Sequence, residues 1–304
     1  MQSLQLSKLE SFYVGGEPRP HGHRLRGPQN FMQGAMYVQH MAPVTVAPGL
    51  PVVFVHGGCH TGVTWETTPD GREGWASLFV RAGFPVYIVD QAWRGRSAPD
   101  LLALDSGVDP SPSLPEVWSA SLEALDLFIR GGDRFPLDHL EQYAAQLWPD
   151  FGVAAALAAG QPGLSDARAL PPMLALLDRI GPAILVAHSQ AGDLAWKTAL
   201  ARPDQVAAVV AVEPGVTSPG LDDPNFPDIP VYVMWADNLL PDGPVLSQRE
   251  LAAARAIAAR RSKVTVDHLP EHGVHGNGHM LMMEDNSAEL AGRVISWLDA
   301  VLTR

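Results

Sequence analysis

Short apolar runs alternate with helix-like segments over most of this 304-residue chain. Continuous apolar runs are typical of strands that are buried on both faces of a parallel sheet. Strands that alternate with helices in this way predict right-handed βαβ units and a largely parallel sheet. The predicted strands are residues 51–55, 85–90, 183–188, 206–212, 229–235 and 264–269, and the predicted helices are residues 75–82, 193–201, 247–260 and 287–302, the last capped by Asn286 or Ser287.

The N-terminal part of the chain has a different pattern. Residues 9–14 and 35–41 show short alternation of apolar or aromatic residues with polar ones, which is typical of strands. The stretch between them, through Gly27 and Pro28, is rich in Gly, Pro, His and Arg and indicates a connection. We therefore expect an antiparallel pair of strands that opens the sheet.

Residues 98–181 interrupt the regular alternation. Prolines separate helical pieces such as residues 117–129 and 137–147, and no convincing buried strand occurs before Ala183. We interpret this stretch as a helical cap that covers the edge of the sheet. It is inserted into a single α/β domain that spans residues 1–304.

The charge balance narrows the classes of partner. The chain has 33 acidic and 21 basic residues and a formal net charge of −12. This balance argues against nucleic acid or an anionic membrane surface, because both require patches of Lys and Arg. No apolar segment reaches the roughly 18 residues that a membrane helix needs. A small molecule is the expected partner, and the sequence leaves a homodimer open.

The chain has one cysteine, Cys59, which excludes an internal disulfide and fits a reducing compartment. Residues 1–10 lack the basic start and the apolar run of a signal peptide. These two features predict a cytoplasmic protein. The alternative is a secreted or periplasmic protein whose signal peptide has been removed.

Residues 183–201 carry the first feature with chemical meaning. The apolar run ends at Ser189, turns through Gln190 and small residues, and continues into a helix-like segment. A strand, a sharp turn and a helix in this order are typical of a nucleophile elbow, which exposes a serine hydroxyl above a sheet. Ala187 and Ala191 flank the serine at two positions that a strained turn keeps small. Taken alone, an ordinary strand-to-helix turn explains the stretch equally well.

A serine nucleophile needs a base and an acid that orients the base, and in such folds they follow the serine in the order acid, histidine. His279 lies in a glycine-flanked turn before the last helix and is the favoured base. Two acids, Glu213 and Asp237, each follow a buried strand. The pattern leaves both open, although the position after the later strand favours Asp237. The other histidines of this region are interpreted as loop or surface residues: His268, His272 and His275.

The backbone N–H groups of Gly58 and Gln190 are the candidates for an oxyanion hole. Gln190 directly follows the serine, and Gly58 belongs to a glycine pair after the first buried strand. A tight exit from that strand is the alternative explanation for the glycine pair. The three spaced histidines of the last loop are a weak argument for zinc, since no fixed carboxylate lies near them in the sequence. We expect no metal and no cofactor.

Three motifs make the chain resemble the α/β-hydrolase superfamily over nearly its whole length. They are Val-His-Gly-Gly at residues 55–58, Asp-Gln-Ala-Trp-Arg-Gly-Arg-Ser at residues 90–97 and Ala-His-Ser-Gln-Ala-Gly at residues 187–192. The second resembles the D-x-x-G-x-G-x-S turn, with Trp93 in place of the first glycine. The third resembles Gly-His-Ser-x-Gly-Gly. The resemblance implies an α/β-hydrolase fold, with a mostly parallel central sheet flanked by helices.

Two further motifs are similar to those of a small group of bacterial carboxylesterases. Val-Glu-Pro-Gly at residues 212–215 resembles the strand end that carries a glutamate acid in that group. His-Gly-Asn-Gly-His-Met at residues 275–280 resembles its histidine loop. The resemblance implies a triad of Ser189, Glu213 and His279, and it turns the choice of acid from Asp237 to Glu213.

The resemblance also implies a serine carboxylic-ester hydrolase that forms an acyl-enzyme with a small, apolar ester or lactone. One alternative is a binding protein that retains the fold without catalysis, and another is a serine hydrolase that cleaves a different bond, such as C–C. The substrate is expected between the sheet and the cap, in a pocket lined by apolar side chains. The aromatic candidates for this lining are Trp93, Trp118 and Trp148, with Phe135, Tyr143 and Phe151 besides. For each of them, taken singly, packing between helix and sheet is the favoured alternative.

Overall fold

The computed structural model describes residues 3–23, 27–47, 49–97, 129, 132–147, 169–218, 220–241 and 247–302. Eight strands of this described part form one sheet in the order β1-β2-β4-β3-β5-β6-β7-β8. Strands β3 to β8 pair in parallel, and β1 and β2 are antiparallel to their neighbours. The strands are β1 (Leu6–His23), β2 (Gly27–Pro43), β3 (Val52–Val55), β4 (Val86–Asp90), β5 (Ala183–His188), β6 (Val206–Val212), β7 (Val231–Trp235) and β8 (Val264–His268).

Helices cover both faces of this sheet. They agree with the predicted helices to within a few residues, so the predicted mostly parallel, helix-flanked sheet is confirmed. The helices are α1 (Val63–Glu66), α2 (Trp75–Arg81), α3 (Leu140–Ala145), α4 (Leu170–Ile180), α5 (Ala191–Ala201), α6 (Gln248–Ala258) and α7 (Ser287–Val301), with short 3-10 helices at Leu137–His139, Leu269–His272 and Leu281–Met283.

The central strands are apolar along their whole length because each face of the sheet carries its own core. In β5, Ile184 and Val186 pack on one face, while Leu185 and Ala187 pack on the other. This follows from the strand geometry, in which successive side chains point to opposite faces. Helices α2 and α7 cover the first face, and α4, α5 and α6 cover the second.

The predicted antiparallel pair is confirmed, but the prediction of a connection through Gly27 and Pro28 is wrong. The ladder between β1 and β2 runs from Leu6 opposite Pro43 to His23 opposite Gly27. The stretch rich in Gly and Pro is therefore part of the two strands. Strand β1 lies at the edge of the sheet, where alternate N–H groups need no partner, so an edge strand accommodates proline.

The predicted cap lies largely outside the described residues. This holds for residues 98–128, 130–131 and 148–168, which include almost all of the predicted helix at 117–129. The predicted helix at 137–147 is present as a 3-10 turn followed by α3. Helix α4 packs on β1, β2 and α5, and so belongs to the layer that flanks the sheet. The cap itself stays a prediction.

The last helix begins where the sequence predicts, but its capping differs. Asn286 occupies the N-cap position of α7 without a side-chain hydrogen bond to the helix. Its Oδ1 instead accepts a hydrogen bond from Asn277 Nδ2 at 2.8 Å. The side chain thus fixes the preceding loop rather than the helix end.

The described helices include none that is both long and apolar enough to cross a membrane.

Candidate active site

Ser189 occupies a strained turn between β5 and α5. Its φ is 55°, a value in the left-handed region that costs a non-glycine residue about 1–3 kcal/mol. The surrounding hydrogen bonds hold this conformation: Ser189 N–H donates to Val212 O at 3.1 Å, and Ser189 O accepts from Gly192 N and Gly215 N at 2.9 and 2.8 Å. The strand, turn and helix predicted for this stretch are therefore present, and the strain is confined to the serine.

The small residues around Ser189 differ in whether their position admits a side chain. A Cβ on Gly192 would lie 2.7 Å from Pro214 Cβ, so this position admits only glycine without a shift. Ala187 and Ala191 are buried, and their methyl groups belong to the core on one face of the sheet. Both alanines have negative φ, since neither is among the described residues with positive φ. The alanines are thus accommodated without backbone strain.

His279 and Glu213 are brought together by the loop after β8 and the end of β6. His279 Nδ1 lies 3.2 Å from Glu213 Oε2, and both side chains are more than 90% buried. Glu213 Oε1 accepts the N–H of Ala236 at 2.5 Å, so both carboxylate oxygens are occupied. Within the described residues, His279 Nε2 is buried and has no hydrogen-bond partner. An imidazole held at Nδ1 and open at Nε2 can accept a proton from a hydroxyl.

Asp237, the competing acid, contacts a different histidine. Its Oδ2 lies 3.3 Å from His275 Nδ1 and accepts the N–H of Gly276 at 3.2 Å. The side chain of His275 is 65% exposed. His268 and His272 also pair away from Ser189, with Arg255 at 3.2 Å and with Asp267 at 3.4 Å. Among the described carboxylates, Glu213 is therefore the one in contact with His279.

The exit from β3 lies directly against the serine turn. A Cβ on Gly57 would stand 2.9 Å from Ser189 Cβ and 2.9 Å from His188 Nδ1. A Cβ on Gly58 would stand 3.4 Å from Gln190 Oε1. A side chain at Gly57 would separate the two loops, which explains the glycine there, whereas a Cβ at Gly58 would make only an ordinary contact.

Buried histidines hold this exit in place, and sequence reasoning missed their roles. His56 Nε2 accepts the N–H of Gln91 at 3.0 Å, so its Nδ1 carries the proton and donates to Gly57 O at 2.8 Å. Burial, with the charge of Arg94, lowers the pKa of His56 to about 3. The ring is therefore neutral, and its two hydrogen bonds join the end of β3 to the end of β4.

His60 plays a similar part on the other side of the glycine pair. Its Nδ1 donates to Gly58 O at 2.6 Å, and its Nε2 accepts from the hydroxyl of Tyr143 at 2.9 Å. Burial lowers the pKa of His60 to about 4. A neutral ring thus joins the glycine pair to α3.

Two more buried groups contact the His279 loop. His188 Nε2 donates to the carbonyl oxygen of His279 at 3.0 Å, and burial holds the pKa of His188 well below its usual value. Glu284 Oε1 accepts the N–H of Gly278 at 2.6 Å, and burial raises the pKa of Glu284 to about 7. Polar residues at strand ends and in loops follow no period, so the sequence offered no signal beyond their closeness to the motifs.

The aromatic candidates for a substrate pocket divide into three groups. Trp93 is half-buried after β4, with a φ of 67°, and a Cβ on Gly34 would stand 3.4 Å from its ring. Phe135 and Tyr143 pack edge-to-face at 5.1 Å and belong to the hydrophobic core. Trp118, Trp148 and Phe151 lie outside the described residues.

The part of the chain that the structure describes holds no group of three or more His, Cys, Asp or Glu side chains that could bind a metal ion. His272 and His275 pair with separate carboxylates, as described above, and His279 pairs with a third.

The parallel sheet flanked by helices, with a serine on a strained strand-to-helix turn and a glutamate–histidine pair beyond it, defines an α/β-hydrolase. No protein-family model matches the chain. The chain is, however, 30% identical to a probable secreted lipase, phiG, of a fungal species, over 94% of this chain and 88% of the lipase. The chain therefore belongs to the α/β-hydrolase family of lipases and esterases.

Solved structures support the same conclusion. A novel bacterial esterase is 30% identical and superimposes with a TM-score of 0.83, over 99% of this chain and 98% of the esterase. The haloalkane dehalogenase DbeA of Bradyrhizobium elkani is 13% identical, with a TM-score of 0.50 over 97% of this chain and 99% of the dehalogenase, and so shares the fold alone. The protein is an ester hydrolase.

Proposed function

We propose that this ester hydrolase acts through a Ser189–Glu213–His279 triad and a covalent acyl-enzyme. The observation that carries the proposal is the state of His279, whose Nδ1 contacts Glu213 at 3.2 Å while its buried Nε2 has no partner among the described residues. A histidine held in this way has one nitrogen available as a proton acceptor. Ser189 lies on the strained turn and comes before Glu213 and His279 in the chain, which is the order of nucleophile, acid and histidine in such folds. Ser189 is therefore the nucleophile.

In the first half-reaction, the hydroxyl of Ser189 attacks the ester carbonyl and gives its proton to His279 Nε2. The N–H groups of Gly58 and Gln190 stabilise the oxyanion, an interaction whose loss costs about 10²–10³-fold in rate for each donor. His279 then returns the proton to the departing alcohol. The tight contact of Gly57 with Ser189, and the position of Gly58 beside Gln190, support this pairing of donors.

In the second half-reaction, water gives a proton to His279 and attacks the acyl carbon, and Ser189 leaves with that proton as the acid is released. Glu213 stabilises the imidazolium that forms in each step. Its other oxygen is fixed by Ala236 N–H, so the carboxylate has one orientation toward His279. The pair is buried, which strengthens this electrostatic interaction.

The proposed substrate is a small, apolar ester or lactone, bound between the sheet and residues 98–181. Trp93, Trp118 and Trp148 are proposed to line its pocket. The half-buried ring of Trp93 supports the first of these assignments. A panel of esters with varied acyl and alcohol groups measures the preference, and a strong preference for charged acyl groups would contradict the proposal.

The decisive test is Ser189→Ala. We expect hydrolysis of a chromogenic short-chain ester to fall by about 10⁶-fold, because removal of a triad nucleophile leaves only binding and the oxyanion hole. A fluorophosphonate probe should label the wild type and not the variant. Ser7→Ala, which changes an exposed serine of β1, serves as the matched control. Retention of activity by Ser189→Ala would exclude the proposed nucleophile.

We also propose a cytoplasmic location, because a sequence with a single cysteine forms no internal disulfide and so fits a reducing compartment. The fungal relative is described as secreted. Fractionation of the source cells distinguishes a cytoplasmic from a secreted protein, and activity in the culture medium would contradict the proposal.

A further inference from the structure

The loop that carries His279 rests on a buried carboxylate, Glu284. Glu284 Oε1 accepts the N–H of Gly278, the residue before His279, at 2.6 Å. Glu284 Oε2 accepts a hydrogen bond from Asn277 Nδ2. Both oxygens of one carboxylate are thus bonded to the two residues that precede His279.

We propose that Glu284 is a positioning residue, which sets the backbone of the His279 loop so that the imidazole is aligned for proton transfer. This inference rests on the proposed role of His279 as the base. Displacement of a reacting group by about 1 Å can cost 10²-fold in rate, so a residue of this kind acts on catalysis without touching the substrate.

Other groups hold the loop on either side of the Asn277–Gly278 segment: Arg134 Nε donates to His275 O at 2.6 Å, Asp237 Oδ2 accepts the N–H of Gly276 at 3.2 Å, and His188 Nε2 donates to His279 O at 3.0 Å. Gly276, Gly278 and Gly273 supply no side chains, and Gly276 and Gly273 have φ values of 83° and 72°. Two further side chains bond to Asn277, whose carbonyl accepts from Asn238 Nδ2 at 3.2 Å and whose Oδ1 accepts from Asn286 Nδ2 at 3.1 Å. Glu284 bonds to Asn277 as well, and it alone among these groups also bonds to Gly278.

The contact between Glu284 and Gly278 leaves no room for a side chain at Gly278. A Cβ on Gly278 would lie 3.1 Å from Glu284 Oε1 and 3.0 Å from the Cα of Gly132. Glu284 itself is 1% exposed. In such a site each hydrogen bond is strong, and a donor left unpaired is costly.

The backbone of Glu284 is fixed independently of its side chain. Arg72 Nη1 donates to the carbonyl oxygen of Glu284 at 2.8 Å, and Arg72 Nη2 donates to Met283 O at 3.2 Å. A change confined to the carboxylate therefore leaves residues 283–284 in place. Its effect should appear in the His279 loop.

Glu284→Gln tests the proposal, because it keeps the size of the side chain and replaces one acceptor with an amide that faces Asn277 Nδ2. We expect kcat for a chromogenic short-chain ester to fall about 10-fold or more, with KM changed less than about twofold. The thermal unfolding midpoint should stay near that of the wild type. Glu250→Gln is the matched control, since Glu250 is also buried and accepts a backbone N–H, from Thr217 at 2.7 Å. It should leave kcat unchanged.

A reciprocal change distinguishes positioning from general damage. Asn277→Asp alone places two carboxylates in contact, and we expect a similar fall in kcat. In the double variant Glu284→Gln and Asn277→Asp, the amide of Gln donates to the new carboxylate, and the bond across the pair is restored. Recovery should be several-fold and partial, because Asn286 Oδ1 loses its donor.

The outcomes separate this inference from the proposed function. Normal kcat in Glu284→Gln overturns the inference, as does a loss in both single variants that the double variant does not recover. If Glu284→Gln fails to fold, Asn277→Asp carries the test, and unchanged kcat in that variant overturns the inference. In these cases fluorophosphonate labelling of Ser189 in the wild type still supports the triad. Absence of labelling would instead reject the triad itself, and with it the basis of this inference.

Discussion

Glu213 and Asp237 show how a single residue at a strand end acquires its role. Both follow buried strands, and each carboxylate contacts a histidine of the same loop. The difference is burial: the His279–Glu213 pair is enclosed, whereas His275 is 65% exposed. An exposed pair contributes little, since solvent screens it.

Variants of the two acids should differ in activity. Glu213→Gln should lower kcat by about 10³–10⁴-fold, because an amide at this position selects the wrong imidazole tautomer and cannot stabilise the imidazolium. Asp237→Asn should cause a smaller loss, since Asp237 contacts His275 and Gly276. Steady-state kinetics on one ester measures both. A larger loss in Asp237→Asn would show that Asp237, and not Glu213, is the triad acid.

The backbone of Ser189 leads to a second prediction, on stability. Its φ of 55° is unfavourable for serine and is freely adopted by glycine. Ser189→Gly should therefore be inactive and yet more stable than Ser189→Ala, by about 1 kcal/mol in the free energy of unfolding. Denaturant titration of both variants gives the difference. Equal stability would mean that the turn holds no strain.

At the level of elements, the contact between the β3 exit and the β5–α5 turn is the critical one. Gly57→Ala would put a methyl group 2.9 Å from Ser189 Cβ and His188 Nδ1. We expect a loss of about 1–3 kcal/mol in stability, as in overpacked cores, together with reduced kcat from the displaced oxyanion donor.

A second glycine provides the control for this change. Gly292 lies in α7, where an added Cβ meets nothing within 4 Å. Gly292→Ala should raise stability by about 0.5–1 kcal/mol, through helix propensity, and leave kcat unchanged. Thermal unfolding and ester hydrolysis measure both variants. A Gly57→Ala enzyme as stable and active as Gly292→Ala would contradict the close contact.

The elements that the sequence predicts well are those whose environment is uniform. Strands β3 to β7 lie between two apolar layers, so they are apolar up to the strand end. Strand β8 lies at the edge of the sheet and includes the exposed Thr265. The sequence predicts a shorter hairpin because Gly and Pro usually interrupt strands, whereas at an open edge Pro18 and Pro20 do not. The sequence predicts a cap for α7 from Asn286 or Ser287, but a nearby polar partner, Asn277, competes for the side chain of Asn286.

The residues of the site also differ in how well the sequence predicts them. Ser189, Gly57 and the choice of a histidine in a glycine-rich loop follow from motifs with a local steric cause. The contacts of His60, His188 and Glu284 join segments that are distant in the chain, such as His60 and Tyr143. Contacts of this kind depend on the completed fold, and no spacing in the sequence encodes them.

For the whole molecule, Glu284 gives a prediction on pH and stability. Burial raises its pKa from 4.5 to about 7, with added repulsion from the carboxylates of Glu213 and Asp285. Arg72 and Arg134 are the neighbouring cations on the segments packed against it. A raised carboxyl pKa means that the folded protein binds the proton more tightly than the unfolded chain. Its stabilising contribution is present below pH 4.5 and is lost as the pH rises through 7.

Glu284→Gln removes this titration. The free energy of unfolding of the wild type should therefore fall more steeply than that of the variant as the pH rises from about 4.5 to about 7. Denaturant titrations at several pH values measure the two slopes. Identical slopes would show that Glu284 titrates normally in the folded protein.

The long edge strand β1 has a consequence for the behaviour of the protein in concentrated solution. A strand of 18 residues with a free edge is a template on which other chains can add, and such growth leads to aggregates. Pro18 and Pro20 remove two N–H donors from this strand, and Lys8, Glu10, Glu17 and Arg19 place charges along it. Replacing these prolines would lengthen the run of available donors. The prolines that make this part of β1 hard to predict as a strand are thus the residues that protect its edge against aggregation with other copies of the chain.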